Sequence, residues 1–258
     1  MRVIIEHAAD AAQRLVLVDG GTLDPLYMVG EAVALGEDGI EGWYDSLALR
    51  DADIESNPAN HGGFLPVTRW FDSRVLTIHG VYAISSLVGA SAVGRFLDRL
   101  NAFAGETVKV TVIDAQGTRS VTGVVSAQIP VARKTDRACE WSMIVTCADP
   151  FKYGSPVTWA EAGGRLVVEN RGTASVLPSV TVTGLPTAFS FALDGHEVSW
   201  TGNGGARSVS LDFAVMVPSA GTVGTDDAFR IPPGRSVVTV ETTPETAVAS
   251  MVVRDAWR

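Results

Sequence analysis

Along the first half of the chain, apolar and polar residues alternate in short runs, the pattern of strands that bury one face. Val3–Ile5 and Leu15–Val18 are two such runs, the second stopped by Asp19-Gly20-Gly21. Trp43–Leu49 and Arg74–Ile84 follow, and between them Asn57-Pro58-Ala59-Asn60-His61-Gly62-Gly63 concentrates turn formers and reads as an exposed loop. One segment then changes period. Val93, Phe96, Leu97, Leu100 and Phe103 fall on one side of a 3.6-residue helix, with Arg95, Asp98 and Arg99 on the other. Ser85, Ser86 and Ser91 are N-cap candidates and Gly105 stands where a C-terminal glycine belongs, so the spacing predicts a helix over about 86–104. Alternation resumes at Thr107–Ile113, turns at Asp114-Ala115-Gln116-Gly117 into Ser120–Val131, and closes with Cys139–Cys147.

At Ala148–Pro156 two prolines and a glycine break the pattern, which reads as a linker between a domain of residues 1–153 and one of residues 154–258. The second half has no helical period. Leu166–Glu169, Val180–Thr183, Phe189–Leu193, Val198–Trp200, Val209–Phe213, Val237–Val240 and Ala249–Val253 are strand candidates, punctuated by Asp194-Gly195 and Asn203-Gly204-Gly205. That rhythm belongs to an antiparallel sandwich or jelly roll. The fold class expected is therefore mainly β: an N-terminal β-sandwich or split-barrel-like domain with one α-helix, then a C-terminal antiparallel β-sandwich.

Composition narrows the function. At 258 residues, two domains are the natural division, and 46% hydrophobic with 19% charged residues is ample to build cores. The net charge of -9 argues against a nucleic-acid binder, which concentrates Lys and Arg against phosphate. Cys139 and Cys147 lie on one face of one strand, about 27 Å apart at ~3.3 Å per residue, too far for a mutual disulfide. Buried free thiols, made in a reducing compartment such as the cytosol, are expected. No run of 18 apolar residues and no charged-then-apolar start is present, so a soluble chain without a membrane partner is expected.

No catalytic constellation emerges. Gly89-Ala90-Ser91-Ala92-Val93-Gly94 is one residue too long for a nucleophile elbow and suits a helix start. His7, His61, His79 and His196 lack metal-ligand spacing. Asp51 with Asp53, and Asp226 with Asp227, are carboxylate pairs that read as solvated surface. Gly202-Asn203-Gly204-Gly205 lacks the lysine and helix of a phosphate loop, and Arg171-Gly172-Thr173 reads as a turn. No enzyme, metal or cofactor is expected. Trp159, Trp200 and Trp257 could pack in the core or offer a ring to a sugar, Trp200 being the residue to suspect.

Asp149-Pro150-Phe151-Lys152-Tyr153, and Asn170-Arg171-Gly172-Thr173 followed by Pro178–Gly184, resemble the domain junction and the opening of the second domain in the distal tail proteins of long-tailed phages. Phe229–Ser236 resembles that family's late Pro-x-Gly turn, and Val253–Arg258 its aromatic-and-Arg ending. The helix followed by a hairpin fits as well; residues 1–60 match only in general character. The resemblance implies a structural virion protein at the tail tip, made in the host cytoplasm, with a galectin-like C-terminal sandwich. It implies a homo-oligomeric ring, typically a hexamer, joining the tail tube to the baseplate hub. Tail tube, tape-measure and hub or tail-associated proteins are its implied partners. The genome passes through such a ring without sequence-specific binding. A closed ring needs two different patches that meet head to tail; Arg95 and Arg99 on the helix, and Val124 and Ser126 on the hairpin, are the expected contributors. The alternative is a carbohydrate-binding or host-receptor adsorption protein using Trp200.

Overall fold

The structure, a computed structural model, describes residues 1–19, 30–50, 55–57, 62–64, 70–85 and 91–258. The chain divides into two compact units, Met1–Lys152 and Tyr153–Arg258.

The first unit contains β1 (Arg2–His7), β2 (Arg14–Val18), β3 (Glu31–Glu41), a small hairpin of β4 (Glu55–Asn57) with β5 (Gly62–Phe64), β6 (Arg74–Ile84), α1 (Ser91–Asn101), β7 (Thr107–Asp114), β8 (Gly117–Val125), β9 (Val131–Thr135) and β10 (Ala138–Cys147). Seven strands close into a barrel in the order β8-β7-β1-β2-β3-β6-β10. Val125 and Val124 of β8 pair Val145 and Thr146 of β10 to complete the circle. Gly123 permits this closure, because a Cβ there would lie 2.6 Å from the Thr146 carbonyl oxygen. All described pairings in the barrel are antiparallel except β2 with β3. The two-residue turn Ala115-Gln116 sets the β7–β8 register, with Gly117 at φ 110° and Asp114 accepting from the Gln116 N–H at 2.8 Å.

Period-two alternation fills the barrel: every second residue of β6 and β10 is buried. The helix adds Ala92, Val93, Phe96 and Leu100 to the same core. Phe96 stacks on Tyr82 at 4.1 Å between ring centroids and meets Trp141 at 6.3 Å. Burying such a ring contributes about 1.5–3 kcal/mol, more than intrinsic helix propensity supplies. Gly105 ends the segment at φ 80°, its N–H on the Val125 carbonyl.

The second unit carries β11 (Lys152–Ala160), β12 (Arg165–Asn170), β13 (Ser179–Thr183), β14 (Ala188–Leu193), β15 (His196–Thr201), β16 (Ser208–Asp212), β17 (Thr222–Asp226), β18 (Gly234–Thr243) and β19 (Val248–Trp257). Strands β16-β13-β19-β11 form one layer and β12-β18-β14-β15-β17 the other. An aromatic chain joins the layers: Trp200 stacks on Phe189 at 4.8 Å, and Phe191, Phe213 and Phe229 follow edge to face at 6.4 and 5.1 Å. This is an antiparallel β-sandwich.

Several segments differ from the sequence expectation. Trp43–Leu49 is not a strand; Trp43 is a core residue and Leu49 makes a single bridge to Phe71. Strand β3 is interrupted at Gly36–Gly39, where Leu35 pairs Gly80 but Ile40 already pairs Ile78, so the bulge hides the strand behind turn residues. The expected Ser120–Val131 strand ends at Val125, and the Pro156 stretch read as linker lies within β11. Proline fixes φ and pushes its predecessor into extended conformations, which a strand accepts. The helix expected over 86–104 is described from Ser91; residues 86–90, the pair Asp51 and Asp53, and loop residues 58–61 lie outside the described residues.

Candidate assembly surface

The hairpin residues expected at an interface come together on the outer wall of the barrel. Thr146 of β10 pairs Val124 of β8 on one side and Val75 of β6 on the other, making one outward row. Val124 is 42% and Val75 49% exposed, so two valines flank Thr146 on the outside of the barrel. Ser126 joins this row, its Oγ 2.7 Å from Thr146 Oγ1. Val75 and Thr146 were not legible as candidates, since only the three-strand register makes them neighbours.

The other two candidates lie on the solvent side of α1. Arg95 Nη1 donates to Ser91 Oγ at 3.0 Å, and Arg99 Nη2 to the Arg14 carbonyl at 3.4 Å. Neither meets a carboxylate within ion-pair distance among the described residues. These arginines stand on α1, whereas Val124 and Ser126 line up beside Thr146 of β10.

The junction motif is held from inside the first unit. Arg74, 4% exposed, donates from Nε to the Pro150 carbonyl at 2.8 Å and from Nη1 to those of Gly42 and Asp45 at 2.6 and 3.3 Å. Phe151 meets Phe71 edge to face, and Lys152 Nζ donates to the Trp43 carbonyl at 3.0 Å while lying 5.7 Å from the Trp43 ring centroid. Burial, reinforced by the Arg74 charge, draws the Lys152 amine down to about 8, and burial likewise lowers Arg74. The two thiols are buried and unpaired; burial raises both, Cys147 to about 11.

In the sandwich, the expectation for Trp200 is corrected. Its ring is 2% exposed, stacked on Phe189, and its indole N–H donates to the Ala220 carbonyl at 2.7 Å. Gly202 and Gly221 close over the ring so tightly that a Cβ on either would lie within 2.4 Å of it. Trp200 therefore presents no face on which a sugar could stack. Of the histidines, His7, His79 and His196 sit 3.2, 3.5 and 3.0 Å from Glu106, Glu41 and Asp227 respectively; His61 lies outside the described residues. Among the described residues no three His, Cys, Asp or Glu side chains gather as a metal site, and no helix is long and apolar enough to cross a membrane.

A closed barrel with one helix packed on its core, followed by a two-layer sandwich, is a fold also found in phage distal tail and baseplate proteins. The Dit (gp 19.1) protein of phage SPP1, a hub adsorption apparatus protein of phages infecting Gram-positive bacteria, matches with a TM-score of 0.65 at 14% identity, over 99% of each chain. Chains of the phage P2 baseplate in its activated conformation match with TM-scores of 0.50 for the calcium form and 0.53 for the strontium form, each at 9% identity over 98% of both chains. No family model and no curated protein sequence matches. The resemblance read from the sequence is thus borne out at the level of the fold.

Proposed function

We propose that this protein is a non-catalytic structural component of a long-tailed phage tail tip, forming a ring that connects the tail tube to the baseplate hub. The observation that carries the reading is the match to the SPP1 protein over both units and 99% of both chains, which a shared single domain would not give. The first unit forms the ring, and the second is a galectin-like sandwich. The exposed Val75–Thr146–Val124 row supports a surface meant for burial, since an obligate interface is more apolar than ordinary surface. Tail tube, tape-measure and hub proteins are the partners of such a ring, the virion its location, and the host cytoplasm its place of synthesis. The net charge of -9 suits a channel that passes a genome without holding it. The test is antibody-fragment labelling of intact virions viewed by electron microscopy. Label confined to the junction of tube and baseplate is the expected result; label on capsid or fibres, or none on virions, would overturn the reading.

A further inference from the structure

The bulge that interrupts β3 has a second consequence. It pushes Glu37 and Asp38 outward beside a groove of about 410 Å³ whose lining includes His79 of β6, Val131 of β9 and Glu140 and Trp141 of β10. Glu37 and Asp38 are exposed and have no cationic partner among the described residues. Glu41 reaches only His79, at 3.5 Å, and Glu140 pairs with Lys134 at 2.9 Å. The groove wall holds one polar atom left without a hydrogen bond. His79 Nε2 is buried, 3.5 Å from Glu41 but without a hydrogen bond among the described residues. The groove is therefore net acidic and partly apolar.

The same unit carries the complement elsewhere on its barrel. Arg14 and Arg99, with Ala102 and Phe103, line a pocket of about 290 Å³ between the start of β2 and the end of α1. Arg95 stands one turn earlier on the exposed helix face, with Asp98 the one acid on that face. None of these three arginines has a carboxylate partner among the described residues. Helix α1 packs on the Tyr82 face of β6, whereas the groove is lined by His79 and Val81 of the opposite face, so the two patches lie on different sides of that strand.

We infer that the occupant of the acidic groove is the Arg95–Arg99 face of helix α1 from a second copy of this chain. Two different, oppositely charged patches on one subunit are what a head-to-tail contact needs, and such a contact closes into a ring when the rotation allows. Charge complementarity then fixes register and excludes the like-charged pairings. The inference rests on the ring reading and names the two surfaces that meet in it.

The experiment is sedimentation velocity on the full chain at low and high salt, with Glu37→Arg/Asp38→Arg and Arg95→Glu/Arg99→Glu as two separate variants. Each variant alone is expected to lose assembly, with at least about a tenfold weaker association, and added salt weakens the parent. An equimolar mixture is expected to reassemble, because each variant's altered patch then meets the other's altered patch and each native patch a native one. That rescue also shows both variants to be folded. An assembled parent that neither variant disturbs, or variants that the mixture does not restore, would overturn this contact and leave the ring reading standing. A parent that stays monomeric at every concentration and salt would overturn both.

Discussion

The carboxylate of Asp255, 4% exposed, accepts from the Arg171 backbone N–H and from its guanidinium Nε, each at 2.9 Å. This pair ties the end of β19 to the turn after β12. Around it Asn170, fully buried, donates to the Ala174 and Ile231 carbonyls, and Gly172 lies so close that a Cβ would sit 1.8 Å from the Ala256 oxygen. The Asn-Arg-Gly-Thr turn is thus a latch for the last strand. Asp255→Ala removes both bonds and is expected to cost about 2–3 kcal/mol. Arg171→Ala costs about 1 kcal/mol or less, because that side chain is 64% exposed and screened. Urea unfolding of the two variants checks the order.

Gly80 of β6 holds Trp141 of β10 in the same way. A Cβ at Gly80 would lie 2.2 Å from the indole, so Gly80→Ala must displace a ring that also packs on Phe96. A loss of about 2–3 kcal/mol is expected, with a shift in tryptophan emission as the ring moves. Unchanged stability would mean that the indole is not against Gly80.

Lys152 gives a pH signature with a defined sign. Its folded value is about 8 against the ordinary lysine value of 10.5, so between these the unfolded chain binds the extra proton and stability at this site rises with pH. Cys147 works the opposite way above the ordinary thiol value of 9.0, since burial keeps its native thiol protonated to about 11. Comparing the parent with Lys152→Met isolates the lysine. The stability difference between them is expected to shift in the parent's favour from pH 8 to pH 10 and to stay flat below pH 7.

Both thiols are expected to resist alkylation in the native state, because burial keeps them protonated and out of reach. Labelling by a maleimide should track unfolding by denaturant, both cysteines together. Rapid labelling of the native chain would contradict the register that buries them opposite Tyr82 and Arg74.

Elements with a strong period were legible in the sequence. The helix, the β7–β8 hairpin and the cysteine strand follow from spacing alone. Strand β3 was not, because its bulge places Gly36-Glu37-Asp38-Gly39 in mid-strand, and β9 was not, because all five of its residues are exposed and carry no alternation. Trp200 shares the inward parity of Val198, so its burial was there to be read. Of the candidate surface, Val124 and Ser126 could be picked from the hairpin spacing, but their neighbours Val75 and Thr146 depend on strand order, and the groove depends on the bulge.

The mass of the purified protein tests the proposed ring most directly. Light scattering behind a sizing column, followed by negative-stain imaging of the peak, is expected to give a closed ring near six 27.2 kDa subunits. A single-subunit mass that persists at every concentration and salt, with no rings on the grid, would contradict the account.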